Sequence, residues 1–388
     1  MALLLEDKPF LNLFLMNKNN SKIGVLLVNL GTPDSPKTGD VRRYLREFLM
    51  DKRVVDYPLI PRWMLVNLII APFRAPKSAK EYKKLWEDRG SPLKFYGEDV
   101  RDLLQESLSE EYIVKLAMRY QSPSIQQALD ELQKTNVRHI ICIPLFPQYA
   151  SATSGSVIDK VMEIVKTWQI IPSVNFVSHF LDHPLFIEAH LERAREQLDK
   201  QEFEHVLFSY HGVPVSQIKK GSQDNYCKVG DCCNSFHKKN QFCYRAQCFQ
   251  TSRVLAEKLN ISPEKYTVSF QSRLGPVPWI RPYTDEVLEE LAEKGIKKVL
   301  AFSPAFVADC LETTLEVGEE YKEDFLEAGG EVWQLVESLN DHPKWIACLK
   351  DLVLQNTADG RSLQSTESEL DTNQQDASSI SPPVDQVS

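Results

Sequence analysis

Eight short runs of β-branched and other apolar residues recur along the chain, at Ile23–Leu30, Tyr112–Arg119, His139–Phe146, Asn175–His179, His205–Tyr210, Tyr266–Gln271, Lys298–Phe302 and Val332–Leu335. Several are apolar almost throughout, as parallel strands covered on both faces are. Longer amphipathic stretches intervene, such as Ser124–Lys134, Val157–Lys166, Pro184–Lys200, Thr251–Leu259 and Thr284–Lys294. This alternation predicts an α/β architecture of two doubly wound domains, each with a parallel four-stranded sheet, at 22–170 and 171–355. In such sheets ligands bind beyond the carboxyl ends of the strands, so the strand-to-helix loops are where chemistry belongs.

The ends differ in kind from the middle. Residues 1–21 read as an extension and not a secretory signal: there is no basic start, Glu6-Asp7-Lys8-Pro9 breaks the apolar run, and no small-residue cleavage site follows. No stretch of 18 apolar residues occurs, so nothing is expected to span a bilayer and a cytoplasmic chain is expected. Residues 356–388 are rich in Ser, Thr, Gln and Asp and are expected to be a disordered acidic tail. Its six carboxylates against Arg361 supply −5 of the net charge of −9, leaving −4 on the rest. A negative balance argues against nucleic acid as a partner.

The glycine signatures of dinucleotide and nucleoside triphosphate binding are absent; after the first run stands only Asn29-Leu30-Gly31-Thr32-Pro33. His205–Tyr210 instead runs into His211-Gly212-Val213-Pro214, which puts an imidazole at a strand's carboxyl end. Lys298–Phe302 leads into a loop ending in Asp309-Cys310-Leu311-Glu312. In one parallel sheet, His211 and Glu312 emerge at the same edge, where they can exchange protons near neutral pH or hold a divalent metal. Glu316 and Glu320 follow Glu312 at intervals of four, on one side of a helix, and a π-bulge would align them better. The plain alternative is a solvated acidic face. Aromatics gather in other loops, at Tyr120, Tyr149 and Trp279, and predict a large, flat, apolar ligand. The apolar stretch 63–73, flanked by Arg62 and Arg74, is either a buried helix or a lip on a bilayer.

Together these residues resemble the ferrochelatase family, which inserts ferrous iron into a porphyrin. The resemblance runs from Ile23 to Val353 over Asn29-Leu30-Gly31-Thr32-Pro33, Arg89-Gly90-Ser91-Pro92-Leu93, Phe146-Pro147-Gln148-Tyr149, Ser209-Tyr210-His211-Gly212-Val213-Pro214, Gln271-Ser272-Arg273-Leu274-Gly275-Pro276 and Asp309-Cys310-Leu311-Glu312-Thr313. It implies a lyase with two Rossmann-like, chelatase-like domains around a porphyrin cleft, taking protoporphyrin IX and Fe²⁺ as substrates in the last step of haem synthesis. It implies that His211 and Glu312 are catalytic and that His211, Glu312, Glu316 and Glu320 handle the metal. It implies a porphyrin lining of Arg74, Tyr82, Ser91, Arg119, Tyr120, Tyr149 and Trp279, with Arg74 and Ser91 near the propionates. It is also compatible with peripheral contact through residues 62–74 on the cytoplasmic face of the inner membrane. Rival readings are a chelatase for coproporphyrin III or a cobalt-accepting ring, and a tetrapyrrole carrier without catalysis.

Five of the eight cysteines fall within residues 221–248, as C-x4-C-C-x9-C-x4-C: Cys227, Cys232, Cys233, Cys243 and Cys248. Thiolates this dense in a reducing compartment suit a 2Fe-2S cluster or tetrahedral zinc. The resemblance, to microbial members with an internal cysteine cluster, favours 2Fe-2S. Five cysteines compete for four ligand places, one of the adjacent Cys232 and Cys233 being expected to drop out; His237 is a lesser candidate. Cys142, Cys310 and Cys348 read as small core or loop residues.

Overall fold

All eight apolar runs form strands in the computed structural model, which describes residues 22–357 except 224, 274 and 276. The expected N-terminal extension and the acidic tail beyond 357 lie outside the described residues. In chain order the strands are β1 (Ile23–Gly31), β2 (Tyr112–Tyr120), β3 (His139–Pro144), β4 (Ser173–Phe176), β5 (His205–His211), β6 (Tyr266–Gln271), β7 (Lys298–Phe302) and β8 (Val332–Leu335). The helices are α1 (Thr38–Leu49), α2 (Leu59–Met64), α3 (Ala71–Leu85), α4 (Pro92–Ser107), α5 (Ile125–Lys134), α6 (Ser156–Val165), α7 (Pro184–Leu198), α8 (Val215–Gly221), α9 (Tyr244–Lys258), α10 (Thr284–Glu293), α11 (Tyr321–Glu327) and α12 (Pro343–Gln355). Wider π-helical turns occupy Leu65–Ile70, Ser151–Gly155 and Leu311–Glu320.

The strands form two four-stranded sheets, ordered β2-β1-β3-β4 and β6-β5-β7-β8, with every pairing parallel. The chain leaves β1 toward one edge and β3 toward the other, and does the same from β5 and β7. Those two places are the switch points at which doubly wound sheets open a crevice. Gly31 ends β1 at a φ of +115°, where a Cβ would fall 2.0 Å from the Tyr120 carbonyl oxygen. Only glycine lets the two strand ends lie this close.

The halves repeat in their connections. Pro144-Leu145-Phe146 and Pro304-Ala305-Phe306 each precede a π-helical turn, which begins seven residues after the proline. Asp182-His183-Pro184 and Asp341-His342-Pro343 open α7 and α12 alike: each histidine Nδ1 accepts a backbone N–H two residues on, from Leu185 and Lys344. These side chains satisfy donors that the first helical turn leaves free.

A division at residue 170 does not hold. β4 pairs with β3, so it belongs to the first sheet, and the sheets part at the β4–β5 connection. Nor does the end of the chain stay with the second sheet: the Asn175 side chain of β4 donates to the Asn356 carbonyl beyond α12 at 2.7 Å. One buried cluster runs through both halves, including Leu27, Ile143, Phe208, Phe302 and Trp345. The two sheets are therefore packed as one body.

The apolar stretch 63–73 is helical and only partly buried, with Val66 and Ala71 at 0% exposure. It runs from α2 through the π turn Leu65–Ile70 into α3, and it turns Trp63, Met64, Leu68, Ile69 and Phe73 outward, Phe73 at 78% exposure. Arg62 does not flank it at the surface; it is buried and donates to the Val55 carbonyl. Arg74 is exposed.

Candidate active site

His211 ends β5, its Cα paired with that of Gln271 at the end of β6. The N–H of Gly212 donates to the Gln271 carbonyl at 2.8 Å. A Cβ on Gly212 would meet that oxygen at 3.0 Å and the Trp279 ring at 3.2 Å, so glycine keeps the turn tight. His211 Nδ1 lies 2.6 Å from the Gly212 carbonyl oxygen. A carbonyl only accepts, so in the neutral ring Nδ1 carries the hydrogen and Nε2 presents a lone pair. Trp279 stands beside the imidazole with ring centroids 6.4 Å apart. Its segment is tied to the turn by Ile280 N–H to the Val213 carbonyl and Val215 N–H to the Pro278 carbonyl.

Gln271 joins this strand end to the acidic helix, and the sequence reading missed it. Its Oε1 accepts from Ser209 Oγ at 2.6 Å; its Nε2 donates to the Glu312 carbonyl at 3.0 Å and to Glu316 Oε2 at 3.1 Å. The signal available was a polar residue at the carboxyl end of an apolar run. Glu316 also accepts from the Ser272 hydroxyl and, at 3.0 Å, from the Tyr321 hydroxyl. Glu312 and Glu316 are half-buried, whereas Glu320 is exposed. Partial burial, then the charges of Glu316 and Glu81, push the Glu320 carboxyl up. All three stand on the π-helical turn Leu311–Glu320, a geometry frequent at functional sites.

Among the described residues, no three of His, Cys, Asp and Glu are grouped closely enough to hold a metal ion. The expected set of His211, Glu312, Glu316 and Glu320 is thus not assembled as a metal cage. The Glu316 carboxylate is engaged by three neighbouring donors, and Glu320 lies out toward solvent.

The residues expected to line the porphyrin separate into two groups. Half-buried Arg119, Tyr149 and Trp279 and exposed Arg74 have accessible surface. Tyr120, Tyr82 and Ser91 are buried at 0%, 7% and 2% exposure. Each is held there by a partner. Tyr120 packs edge-on against Phe48, Tyr82 edge-on against Tyr44, and Ser91 accepts from Thr32 Oγ1 at 2.9 Å.

Arg119 and Tyr120 converge on Asp51, a residue the sequence hides in the charged run Asp51-Lys52-Arg53. Asp51 Oδ2 accepts from Arg119 Nη2 at 2.6 Å, from the Tyr120 hydroxyl at 3.0 Å, and from Ser156 Oγ. Arg119 Nε donates to Ser156 as well, to its hydroxyl at 2.7 Å. Ser156 stands twelve residues after Pro144, as Glu316 stands twelve after Pro304. The same place in the two halves thus serves a buried ion pair in one and the acidic line in the other.

The cysteine segment wraps one cavity of about 100 Å³, lined by Cys227, Cys232, Cys233 and Cys243. Cys233 donates to the Cys243 sulfur; that hydrogen bond is the largest influence lowering the Cys243 thiol pKa, and burial opposes it. Backbone N–H groups point at two other sulfurs, from Lys228 to Cys232 and from Val229 to Cys227. Both adjacent cysteines, Cys232 and Cys233, line the cavity. The fifth, Cys248, is buried on α9 beside the Tyr244 hydroxyl and does not line it. His237 is taken by the Tyr226 hydroxyl at 2.7 Å. The donor set suits an iron–sulfur cluster or zinc, but the sulfurs are not drawn into a closed cage.

Comparison with known proteins agrees with this architecture. The model of the family described as ferrochelatase matches residues 22–357. A ferrochelatase of Legionella pneumophila (strain Paris) is 47% identical over 330 residues, covering 85% of this chain and 98% of the relative. One from Coxiella burnetii (strain Dugway 5J108-111) is 44% identical over 85% of this chain and 92% of its own length. Among solved structures, SirB from Bacillus subtilis with Fe³⁺ aligns with a TM-score of 0.51 at 12% identity, covering 88% of this chain and 98% of its own. At that identity it speaks for the fold alone. With the family model spanning the whole described chain and relatives this similar over most of their length, the chain belongs to the ferrochelatase family.

Proposed function

We propose that this protein is a ferrochelatase that inserts Fe²⁺ into protoporphyrin IX to form protohaem, a lyase reaction. The observation that carries the reading is the 2.6 Å contact between His211 Nδ1 and the Gly212 carbonyl oxygen: an acceptor there favours the neutral tautomer with Nδ1–H, which leaves Nε2 as a base at the carboxyl end of β5. A planar porphyrin shields its two N–H protons, so a metal cannot enter until the ring bends. A crevice complementary to a bent ring uses peripheral contacts, such as Arg74 and Trp279, to impose that distortion. His211 Nε2 then accepts a pyrrole proton. Glu312, its backbone anchored by Gln271, receives the second proton or hands over the iron. Anaerobic incubation with Fe²⁺ or Co²⁺ and protoporphyrin or coproporphyrin, followed by absorbance, tests the reading. Fastest metallation is expected for Fe²⁺ with protoporphyrin. Preference for coproporphyrin would move the assignment to that substrate, and no turnover with any pair would leave a carrier.

For residues 221–248, the cysteine-rich insertion of the second half, we propose a 2Fe-2S cluster held by Cys227, Cys232, Cys233 and Cys243, supported by their shared cavity and by backbone donors to the sulfurs. Bound there, the group would supply one-electron chemistry and a cross-link between the segment and α9. Cys227→Ser is expected to bleach the visible absorption of the purified protein, whereas Cys248→Ser leaves it intact. A colourless wild type with stoichiometric zinc would replace the cluster by zinc.

For the exposed apolar stretch we propose peripheral attachment to the cytoplasmic face of the inner membrane, supported by the outward aromatic and aliphatic side chains beside Arg74. Co-sedimentation with anionic vesicles is expected to fall at least tenfold in Ile69→Glu/Phe73→Glu. Equal sedimentation of variant and wild type would remove this assignment.

A further inference from the structure

Three consecutive residues at the start of α9 reach three different parts of the molecule. Cys243, the residue preceding the first turn, lines the cysteine cavity. Tyr244, buried at 7% exposure, donates its hydroxyl to the His211 carbonyl at 2.8 Å. Arg245 donates through Nη1 to the Gly230 carbonyl inside the insertion, and through Nε and Nη2 to the Arg281 carbonyl, two residues beyond Trp279. Cys243, Tyr244 and Arg245 are joined by two consecutive planar peptide bonds, so a shift of Cys243 is passed to Tyr244 and Arg245. His211 and the Trp279 segment, which stand beside each other, both belong to the candidate site.

We infer that Tyr244 is a positioning residue for His211, and that through it the Cys243 end of the insertion sets the aim of the imidazole. The inference rests on the reading of His211 as proton acceptor. Strand pairing fixes His211 only on its β6 side, where Gly212 N–H meets the Gln271 carbonyl. The Tyr244 hydroxyl holds the carbonyl of the same peptide unit from the opposite side, so the His211–Gly212 peptide plane is clamped between α9 and β6. Releasing one clamp lets the plane rotate, and a base displaced by about 1 Å loses on the order of a hundredfold in rate. Arg74 stands on α3, and in Tyr244→Phe the Arg245 hydrogen bonds to the Arg281 carbonyl keep their hold on the Trp279 segment, so the porphyrin contacts stay in place. Cys248 beside the same hydroxyl then belongs to this support, which accounts for the fifth cysteine standing apart from the cavity.

Tyr244→Phe in the full-length protein, purified with whatever its cysteines hold, separates positioning from general damage. Expected are a tenfold to hundredfold lower kcat, a porphyrin KM and fluorescence-measured Kd within about twofold of wild type, and unchanged visible absorption. Cys243→Ser is expected to lower kcat with the same unchanged Kd, and to add nothing further in the Tyr244→Phe background. It also carries the test should Tyr244→Phe not fold. An unchanged kcat in Tyr244→Phe, a parallel loss of kcat and Kd, or additive effects of the two substitutions would each overturn the inference. Full activity of His211→Ala would remove the premise instead, so the two failures are distinguishable.

Discussion

His211→Ala is expected to reduce iron insertion about a hundredfold to ten-thousandfold while porphyrin still binds with an affinity close to wild type. The size follows from the role. General base catalysis by a positioned side chain contributes about 10²–10⁴-fold, and here the neutral ring is held in the tautomer that presents Nε2. Alanine removes the base and leaves the backbone intact, because strand pairing with Gln271 and the Tyr244 hydrogen bond both use main-chain atoms of residues 211 and 212. Porphyrin affinity, read by quenching of protein fluorescence, therefore separates a lost proton acceptor from a lost site. His211→Asn retains a polar side chain without a basic nitrogen, and is expected to be as inactive as alanine. Near-normal turnover in either variant would sink the assignment of His211 as the base.

The fold was legible because its signal is local. β5 and β7 are apolar at most of their buried positions, with Leu207, Phe208, Leu300 and Ala301 essentially unexposed and Ser209 and His205 the polar exceptions, and such runs between amphipathic stretches have few alternatives. That His211 stands at the carboxyl end of β5 was legible for the same reason, whereas Glu312 lies ten residues beyond β7 and is brought to the strand ends by the Gln271 side chain. Contacts between distant segments were not legible. Asp51 looks like part of a solvated charge run, and only the meeting of β2, α6 and the loop after α1 turns it into a buried acceptor. The boundary at 170 failed because β4 is four residues long and half-buried, too weak a pattern to show which sheet claims it. Tyr120 and Tyr82 illustrate a further limit, since an aromatic at a strand or helix end reads alike whether it meets a ligand or is buried in the core.

Asp51→Asn is expected to cost about 3–5 kcal/mol of stability at pH 7, the usual penalty for breaking a buried ion pair from one side. The Asp51 side chain is 6% exposed and that of Arg119 15%, so neither charge is relieved by solvent. Burial works against ionisation of Asp51. The hydrogen bonds from Ser156 and the Arg53 N–H, the Arg119 charge and the Tyr120 hydroxyl outweigh it and hold the carboxyl below its ordinary range. A carboxyl depressed on folding stabilises the protein above its unfolded pKa of about 3.9 and loses that contribution as pH falls through the folded value. Wild type and Asp51→Asn should therefore differ most in denaturant midpoint at neutral pH and converge below about pH 4. The amide keeps the shape of the carboxyl but leaves the Arg119 guanidinium without a counter-charge. Arg119 then moves toward the crevice, and porphyrin KM is expected to change together with stability. Asp51→Asn/Arg119→Met removes both charges and should recover most of the lost stability, because the cost lies in the orphaned cation. Equal denaturation curves for wild type and Asp51→Asn at pH 7 would show that the pair is not the support on which β2 and α6 meet.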